Sequence, residues 1–444
     1  MKSKTVAMVC AFGFTALAGL GRAAERPNIV LILADDFGYE CIGANGGTSY
    51  PTPNIDRLAA NGMRFENCFV QPLCTPTRVQ LMTGLSNIRN YTVFGRLDSS
   101  QKTFGNLFRD AGYATGIFGK WQLGSEKELP KHFGFDTYVL WQHLRRPPRY
   151  ANPGVDIQDE PVDYANGEYG PEIFADHAVA FIEKNKNRPF FLYYPMVLAH
   201  SPFQPSPDSP AWDKKLTGEK LSNPKHFKSM TEYLDKNVGR IVKKLEETGL
   251  SEKTLVIFLG DNGTGREITS QFKGAPYRGG KGFTNESGMH VPFIASFPGK
   301  IKPGAVNTNL VDSTDFLPTI AEAAGIALTK GVPYDGFSFY PQLLGRTATP
   351  REWIYSWYLG QKAPGNEEVF AFDHGLKLYK QGTVFNVADD PLEKAPLNRD
   401  TLTDAQKATL EKLQAVLDRY KDARPGWIKN AEPRVKKPAG NDAH

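Results

Sequence analysis

Two acidic clusters stand where apolar runs stop. Asn28–Ala34 is a continuous apolar run that ends in Asp35 and Asp36, and a second, Thr254–Leu259, ends in Gly260-Asp261-Asn262-Gly263. Asp35, Asp36, Asp261 and Asn262 offer only oxygen donors, which suits calcium or magnesium and not zinc. Three carboxylates crowded at strand ends would repel one another without a cation. A single Asp in such a place often only caps a loop, but two clusters after two buried runs point to a metal site.

Nucleophilic and cationic candidates lie elsewhere in the chain. Cys74-Thr75-Pro76-Thr77-Arg78 places an arginine four residues after a cysteine, one helical turn away and on the same face. Lys120 sits in Gly119-Lys120-Trp121-Gln122-Leu123-Gly124, and Lys281 in Gly279-Gly280-Lys281-Gly282. His200, between Ala199 and Ser201-Pro202, follows a third apolar run, Arg188–Tyr194. Taken singly, a lysine is more often a solvated charge, such a histidine a satisfied core residue, and such a cysteine a buried thiol.

The elements that must position these residues are legible in outline. Unalternating apolar runs suit central strands covered on both faces. Helical patterns lie between them at Thr52–Asn61, Thr103–Ala111, Ile173–Lys184 and Met230–Thr248. The alternation predicts an α/β fold with a mostly parallel central sheet flanked by helices, and such sheets collect ligands at their carboxyl ends. Near residue 345 the pattern changes to short segments, Trp353–Trp357, Val369–Phe372, Lys377–Lys380 and Thr383–Val387. They predict a smaller C-terminal antiparallel sheet. A helix follows over Asp404–Lys421, with Leu410, Leu413, Val416, Leu417 and Tyr420 on one face and Thr403 as cap. The expected division is a signal peptide over 1–24, a catalytic domain over 25–345, an α+β subdomain over 346–428 and a polar tail over 429–444.

Lys2 and Lys4 before an apolar run from Val6 to Leu20, with Ala23-Ala24 at its end, read as a cleaved secretory signal. The expected location is therefore exported, periplasmic or secreted, with no membrane span in the mature chain. The net charge of +5 includes Lys2, Lys4 and Arg22, which leave with the signal. The remainder is too weakly basic to argue for nucleic acid. Cys10 leaves too, so Cys41, Cys68 and Cys74 are an odd set in an oxidising compartment, in which Cys41 and Cys68 could pair. The 444 residues, with 40% apolar and 23% charged, suit a globular enzyme and exclude a disordered or fibrous chain.

Several of these segments occur together in one known family. Pro27-Asn28-Ile29-Val30 with Asp35-Asp36, Thr52-Pro53-Asn54-Ile55-Asp56-Arg57-Leu58-Ala59, Cys74–Arg78, Gly119-Lys120-Trp121, Ala199-His200-Ser201-Pro202, Gly260–Gly263 and Gly279–Gly282 follow the order of the formylglycine-dependent sulfatases. The chain resembles that family from about Arg26 to about Leu344. The resemblance implies an alkaline-phosphatase-like fold. It implies oxidation of Cys74 to formylglycine by a maturation enzyme, and one Ca2+ (Mg2+ being possible) held by Asp35, Asp36, Asp261, Asn262 and the modified residue 74. In that chemistry one hydroxyl of the aldehyde hydrate attacks sulfur, and the other then loses its proton to expel sulfate. Arg78 would orient the hydrate, Lys120 and Lys281 would hold sulfate oxygens, and His200 would serve the leaving oxygen as general acid.

Three departures from the family pattern bear on function. Thr77 stands where Ser is usual. Gln122 stands where the family commonly has a histidine that helps regenerate the aldehyde, and glutamine cannot accept a proton at neutral pH. Ser287 and His290 replace residues that are often Gly and Arg, with His290 expected in the scaffold or the pocket wall. The expected activity is hydrolysis of sulfate esters, on a sulfated carbohydrate or another sulfate ester. The alternatives are a phosphoester or phosphonate hydrolase of the same superfamily, or a catalytically weak, sulfatase-like carbohydrate-binding protein. His143-Leu144-Arg145-Arg146-Pro147-Pro148-Arg149-Tyr150, outside the shared motifs, reads as a solvated surface loop or as a subsite for an anionic sugar.

Overall fold

The structure is a computed structural model that describes residues 26–215, 222–363 and 365–429. The segment read as a signal and residues 430–444 of the expected tail lie outside the described residues. The strands are β1 Asn28–Ala34, β2 Met63–Phe69, β3 Ala114–Lys120, β4 Thr137–Trp141, β5 Gly154–Ile157, β6 Glu160–Asp163, β7 Phe190–Pro195, β8 Thr254–Gly260, β9 Thr269–Phe272, β10 Ala275–Arg278, β11 Phe293–Ser296, β12 Ala305–Asp312, β13 Ile354–Tyr358, β14 Glu368–Phe372, β15 Leu376–Tyr379 and β16 Val384–Asn386.

Ten strands form one sheet in the order β12-β2-β11-β8-β1-β7-β3-β4-β5-β6. Its centre, β8-β1-β7-β3-β4, is parallel throughout, whereas β11 and β5-β6 run antiparallel. The apolar runs form these central strands because both faces are covered. Ile29, Leu31 and Leu33 enter one core, and Val30, Ile32 and Ala34 the other. Helices Cys74–Thr83, Phe104–Asp110 and Phe316–Ala323 contribute to the first core, and Pro53–Ala60, Gly170–Asn185 and Phe227–Glu247 to the second. The helix ends follow local chemistry: Thr103 and Thr403 each close a capping box.

After the main sheet come four antiparallel strands, β13-β14-β15-β16, and the helix Asp404–Tyr420. That helix buries Leu410, Leu413, Val416, Leu417 and Tyr420, the face expected from its spacing. Tyr420 stacks on Tyr355 of β13 with ring centroids 4.0 Å apart. These side chains join the first core. A short helix, Gly426–Lys429, buries Ile428. No helix among the described residues is long and apolar enough to cross a membrane.

Candidate active site

Four adjacent parallel strands deliver the site. β1 pairs with β8 so that Ala34 faces Gly260, which brings Asp35 and Asp261 side by side just past the strand ends. Asp36 N–H donates to Asp261 Oδ1 at 3.0 Å. Lys120 is the last residue of β3, and β7 leads through a short loop to His200. β3 approaches β7 closely at Gly119, where φ is +128° and a Cβ would lie 2.0 Å from the Pro195 carbonyl oxygen. Only glycine fits there, and it sets the position of Lys120.

Cys74 opens the helix Cys74–Thr83, all of whose residues are buried, and Gly84 ends it in a left-handed conformation at φ 67°. Thr77 performs the bonding its hydroxyl permits: Oγ1 accepts from Gln71 N at 3.0 Å and donates to Gln71 O at 3.1 Å, pinning the loop before the helix. The extra methyl of Thr is accommodated in full burial.

All ten residues singled out for the site converge. Lys120 Nζ donates to both oxygens of Asp35 at 2.8 Å. Lys281 Nζ donates to Asp36 Oδ2 at 2.7 Å and to His200 Nε2 at 2.9 Å. Arg78 donates from Nη2 to Asp261 Oδ2 at 2.8 Å and from Nη1 to the Lys120 carbonyl at 3.3 Å. Ligand-type atoms of Asp35, Cys74 and Asp261 lie within 4.8 Å of one another, and so do those of Asp35, Asp36 and His200. The Cys74 thiol donates to Gln122 Oε1 at 2.9 Å. Asp36 and Gln122 both hold a left-handed backbone at φ 57°, a strain that non-glycine residues keep where the surroundings impose it.

The electrostatics follow from burial and crowding. Burial pushes the Asp35 carboxyl up, but the Lys120 charge, with Arg78 adding to it, outweighs it and holds the group below its ordinary range. Burial and then the Asp35 charge raise Asp261. Burial and the Lys281 charge push His200 far down, so its imidazole is neutral. Burial raises the Cys74 thiol against the pull of Lys120 and Lys281, which leaves an unmodified cysteine protonated and unreactive.

The donor set fits a hard cation. Asn262 Nδ2 donates to Asp36 Oδ1 and to Gly263 O, both at 2.9 Å, while its Oδ1 is buried with no hydrogen-bond partner among the described residues. An orphaned amide oxygen beside three carboxylates is costly unless something positive meets it. Oxygen-only donors at this spacing suit calcium or magnesium.

The Sulfatase family model matches residues 27–326. The chain belongs to the sulfatase family. A second model, described as "N-sulphoglucosamine sulphohydrolase, C-terminal", matches residues 280–416 of this sulfatase. Human arylsulfatase A is 36% identical over 378 residues, 76% of this chain and 71% of that protein. N-acetylgalactosamine-6-sulfatase of Canis lupus familiaris is 31% identical over 375 residues, 76% and 70% of the two chains. Among solved structures, Ps i-CgsB superposes with a TM-score of 0.75 at 26% identity, covering 90% of this chain and 94% of that one. The same protein has been solved in complex with k-i-k-neocarrahexaose. The sulfatase is thus a sulfuric ester hydrolase on the sulfatase fold.

Other expectations are resolved by position. Cys41 and Cys68 are free buried thiols, so the pairing left open for them is not made. His290 is scaffold: its ring stacks on Tyr39 at 4.0 Å and on Phe69 at 4.9 Å, and Nε2 bonds the Glu66 carbonyl at 2.8 Å. The basic loop is no solvated loop throughout. His143 bonds Asp159 at 2.8 Å, Arg145 pairs with Asp156 and Asp163, and Arg149 is buried. Sequence reasoning missed Tyr193, a buried residue of β7 whose phenol is pushed up by burial and pulled back by the Arg78 charge. Tyr150, which the sequence analysis took only as the end of the basic loop, bonds with its hydroxyl the carbonyls of Val197 and His200. Tyr193 carried no local signal, being one aromatic in an apolar run.

Proposed function

We propose that this sulfatase removes sulfate from a sulfated carbohydrate, with Cys74 matured to formylglycine by a separate maturation enzyme and Ca2+ bound at Asp35, Asp36, Asp261, Asn262 and residue 74. The observation that carries the reading is the position of Cys74. It starts a buried helix, and its sulfur lies within 4.8 Å of carboxylate oxygens of Asp35 and Asp261. When present, the aldehyde hydrate supplies the nucleophile and the cation supplies Lewis acidity.

The chain's own residues do the rest. Without a dication, Asp35, Asp36 and Asp261 are neutralised by Lys120, Lys281 and Arg78. With a dication held by those carboxylates, Lys120 and Lys281 would be free to turn to the oxygens of a sulfate group. Arg78, forked onto Asp261 and the Lys120 carbonyl, fixes the geometry around residue 74. The Lys281–His200 contact keeps a proton at the edge where the alcohol departs, and this pair is the proton source for the leaving oxygen. His200 is oriented by its own Nδ1, which lies 2.5 Å from the Ser201 carbonyl and donates to it.

The carbohydrate reading is supported by a structural relative solved with k-i-k-neocarrahexaose and by relatives named N-acetylgalactosamine-6-sulfatase. Exposed Phe283, with the Arg266 guanidinium 4.2 Å from its ring centre, stands two residues from Lys281 as an apolar face for a sugar ring. We also assign export through residues 1–24, a catalytic unit over 25–345 and an appended unit over 346–428. The test is an assay of chain matured by the formylglycine-generating enzyme on sulfated saccharides, 4-nitrophenyl sulfate and 4-nitrophenyl phosphate. Mass spectrometry of the peptide holding residue 74 accompanies it. Sulfate release from saccharides with the aldehyde mass supports the reading. A preference for the phosphate ester, or no release by aldehyde-bearing chain, overturns it.

A further inference from the structure

Among the described residues, the buried cation Arg149 has no carboxylate paired with it. The residue is only 4% exposed, and its Nε and Nη1 are enclosed with no hydrogen-bond partner among the described residues. The carboxylates of its own loop are taken: Asp159 faces His143, and Asp156 and Asp163 face Arg145. A guanidinium kept dry with donors unused is unfavourable unless an anion arrives to meet it.

Its place in the fold says which anion. The guanidinium carbon lies 3.9 Å from the ring centre of Trp141, which ends β4 and is registered against Lys120 at the end of β3. The next residue, Tyr150, bonds the carbonyls of Val197 and His200 and ties this loop to the loop that carries the histidine. The Arg149 charge is also among those that depress His200. Arg149 therefore stands by the carboxyl ends of β3 and β7, on the side of Lys120 and His200. The indole platform holds the guanidinium plane extended. Gln142, the residue after Trp141, leaves Oε1 buried and unpartnered as well, so the wall here is polar and unsatisfied.

We propose that Arg149 binds a second anionic group of the substrate, a carboxylate or a further sulfate on the saccharide that carries the scissile sulfate. This rests on the saccharide-sulfatase reading above and deepens it. The preferred substrate is then polyanionic, and Arg149 discriminates it from a sugar bearing one sulfate alone.

The experiment compares kcat/KM for matched pyranose sulfates. One carries the scissile sulfate only, one has a carboxylate added as the uronic acid, and one has a second sulfate. The enzyme is the matured wild type, Arg149→Lys and Arg149→Met, with folding followed by thermal melting. Wild type should favour one of the two doubly anionic sugars by about 10- to 100-fold. Which of the two is favoured tells carboxylate from sulfate. The ratio should shrink in Arg149→Lys and approach unity in Arg149→Met. Equal rates on all three sugars by wild type would overturn the inference while leaving the saccharide reading intact, and this needs no variant to fold. An unchanged ratio in a folded Arg149→Met would overturn it too. Release from 4-nitrophenyl sulfate with none of the three sugars accepted would sink the saccharide reading and this inference together.

Discussion

The Cys74 thiol donates to Gln122 Oε1 at 2.9 Å, so the glutamine occupies the position from which a histidine would act on residue 74. An amide can hold the hydrate by a hydrogen bond but cannot take its proton. Gln122→His should therefore speed release of sulfate after the alcohol has left, by about 10²-fold or more if general base catalysis is restored. Rapid-quench kinetics would show a burst of alcohol in wild type and a smaller burst in the variant. Equal release rates in both would show that Gln122 is not the slow element.

Metal removal should be visible without an assay of turnover. Stripping by chelator leaves the acidic cluster to its lysines, and adding calcium back should raise the melting midpoint with concentration. Magnesium should do so less, because oxygen donors from separate strand ends suit the larger ion. A midpoint that ignores both ions would place the cation elsewhere.

Arg78 has a structural part separable from chemistry. Its Nη2 lies 2.8 Å from Asp261 Oδ2, and both side chains are almost wholly buried. Removing one partner leaves a buried charge unpaired, so Arg78→Met should lower unfolding stability by about 3–5 kcal/mol in metal-free protein. Denaturant titration measures it, and calcium should recover part of the loss.

Asp312 gives a pH signature away from the site. Burial pushes its carboxyl up to about 6; the Arg351 charge opposes this, and Asp315 adds to it. The folded group then holds its proton in a range where the unfolded group, near 3.8, has lost it. The native state binds more protons in that window, so this group's contribution to stability grows as pH falls from about 6 towards 4 and is lost as pH rises through about 6. Asp312→Asn should flatten stability against pH across that window. A slope identical to wild type would count against the shift.

Gly119→Ala tests the close approach that places Lys120. A methyl there would meet the Pro195 carbonyl at 2.0 Å on a backbone already at φ +128°. The variant should lose most of its yield of folded protein, whereas alanine at Gly325, with nothing near, should cost only its left-handed backbone.

Much of this was legible for a physical reason. Asp35 and Asp261 were found because an apolar run that stops on acids marks the end of a buried strand, and β1 and β8 begin where expected. The helix Asp404–Tyr420 was legible from its spacing and its Thr403 cap. What was not legible depends on distant partners. β2 reads MRFENCF, with polar residues alternating, and gains its place only by pairing with β11 and β12. The bond between Lys281 and Asp36 joins residues 245 positions apart, and no local pattern announces it. Arg149 was one of several basic residues in a loop until burial set it apart from Arg146, which is exposed.

The helix that begins at Cys74 has every one of its residues buried, and its closure draws on strands from β1 to β8 and on the turn that holds Lys281. A protein catalyst cannot reach that thiol once the chain has collapsed around it. On the maturation proposed above, the oxidation has to happen while the nascent polypeptide is still open. Under that proposal the rate of synthesis against the rate of collapse would decide what fraction of molecules ever becomes active, and a molecule that folds too early would stay inert.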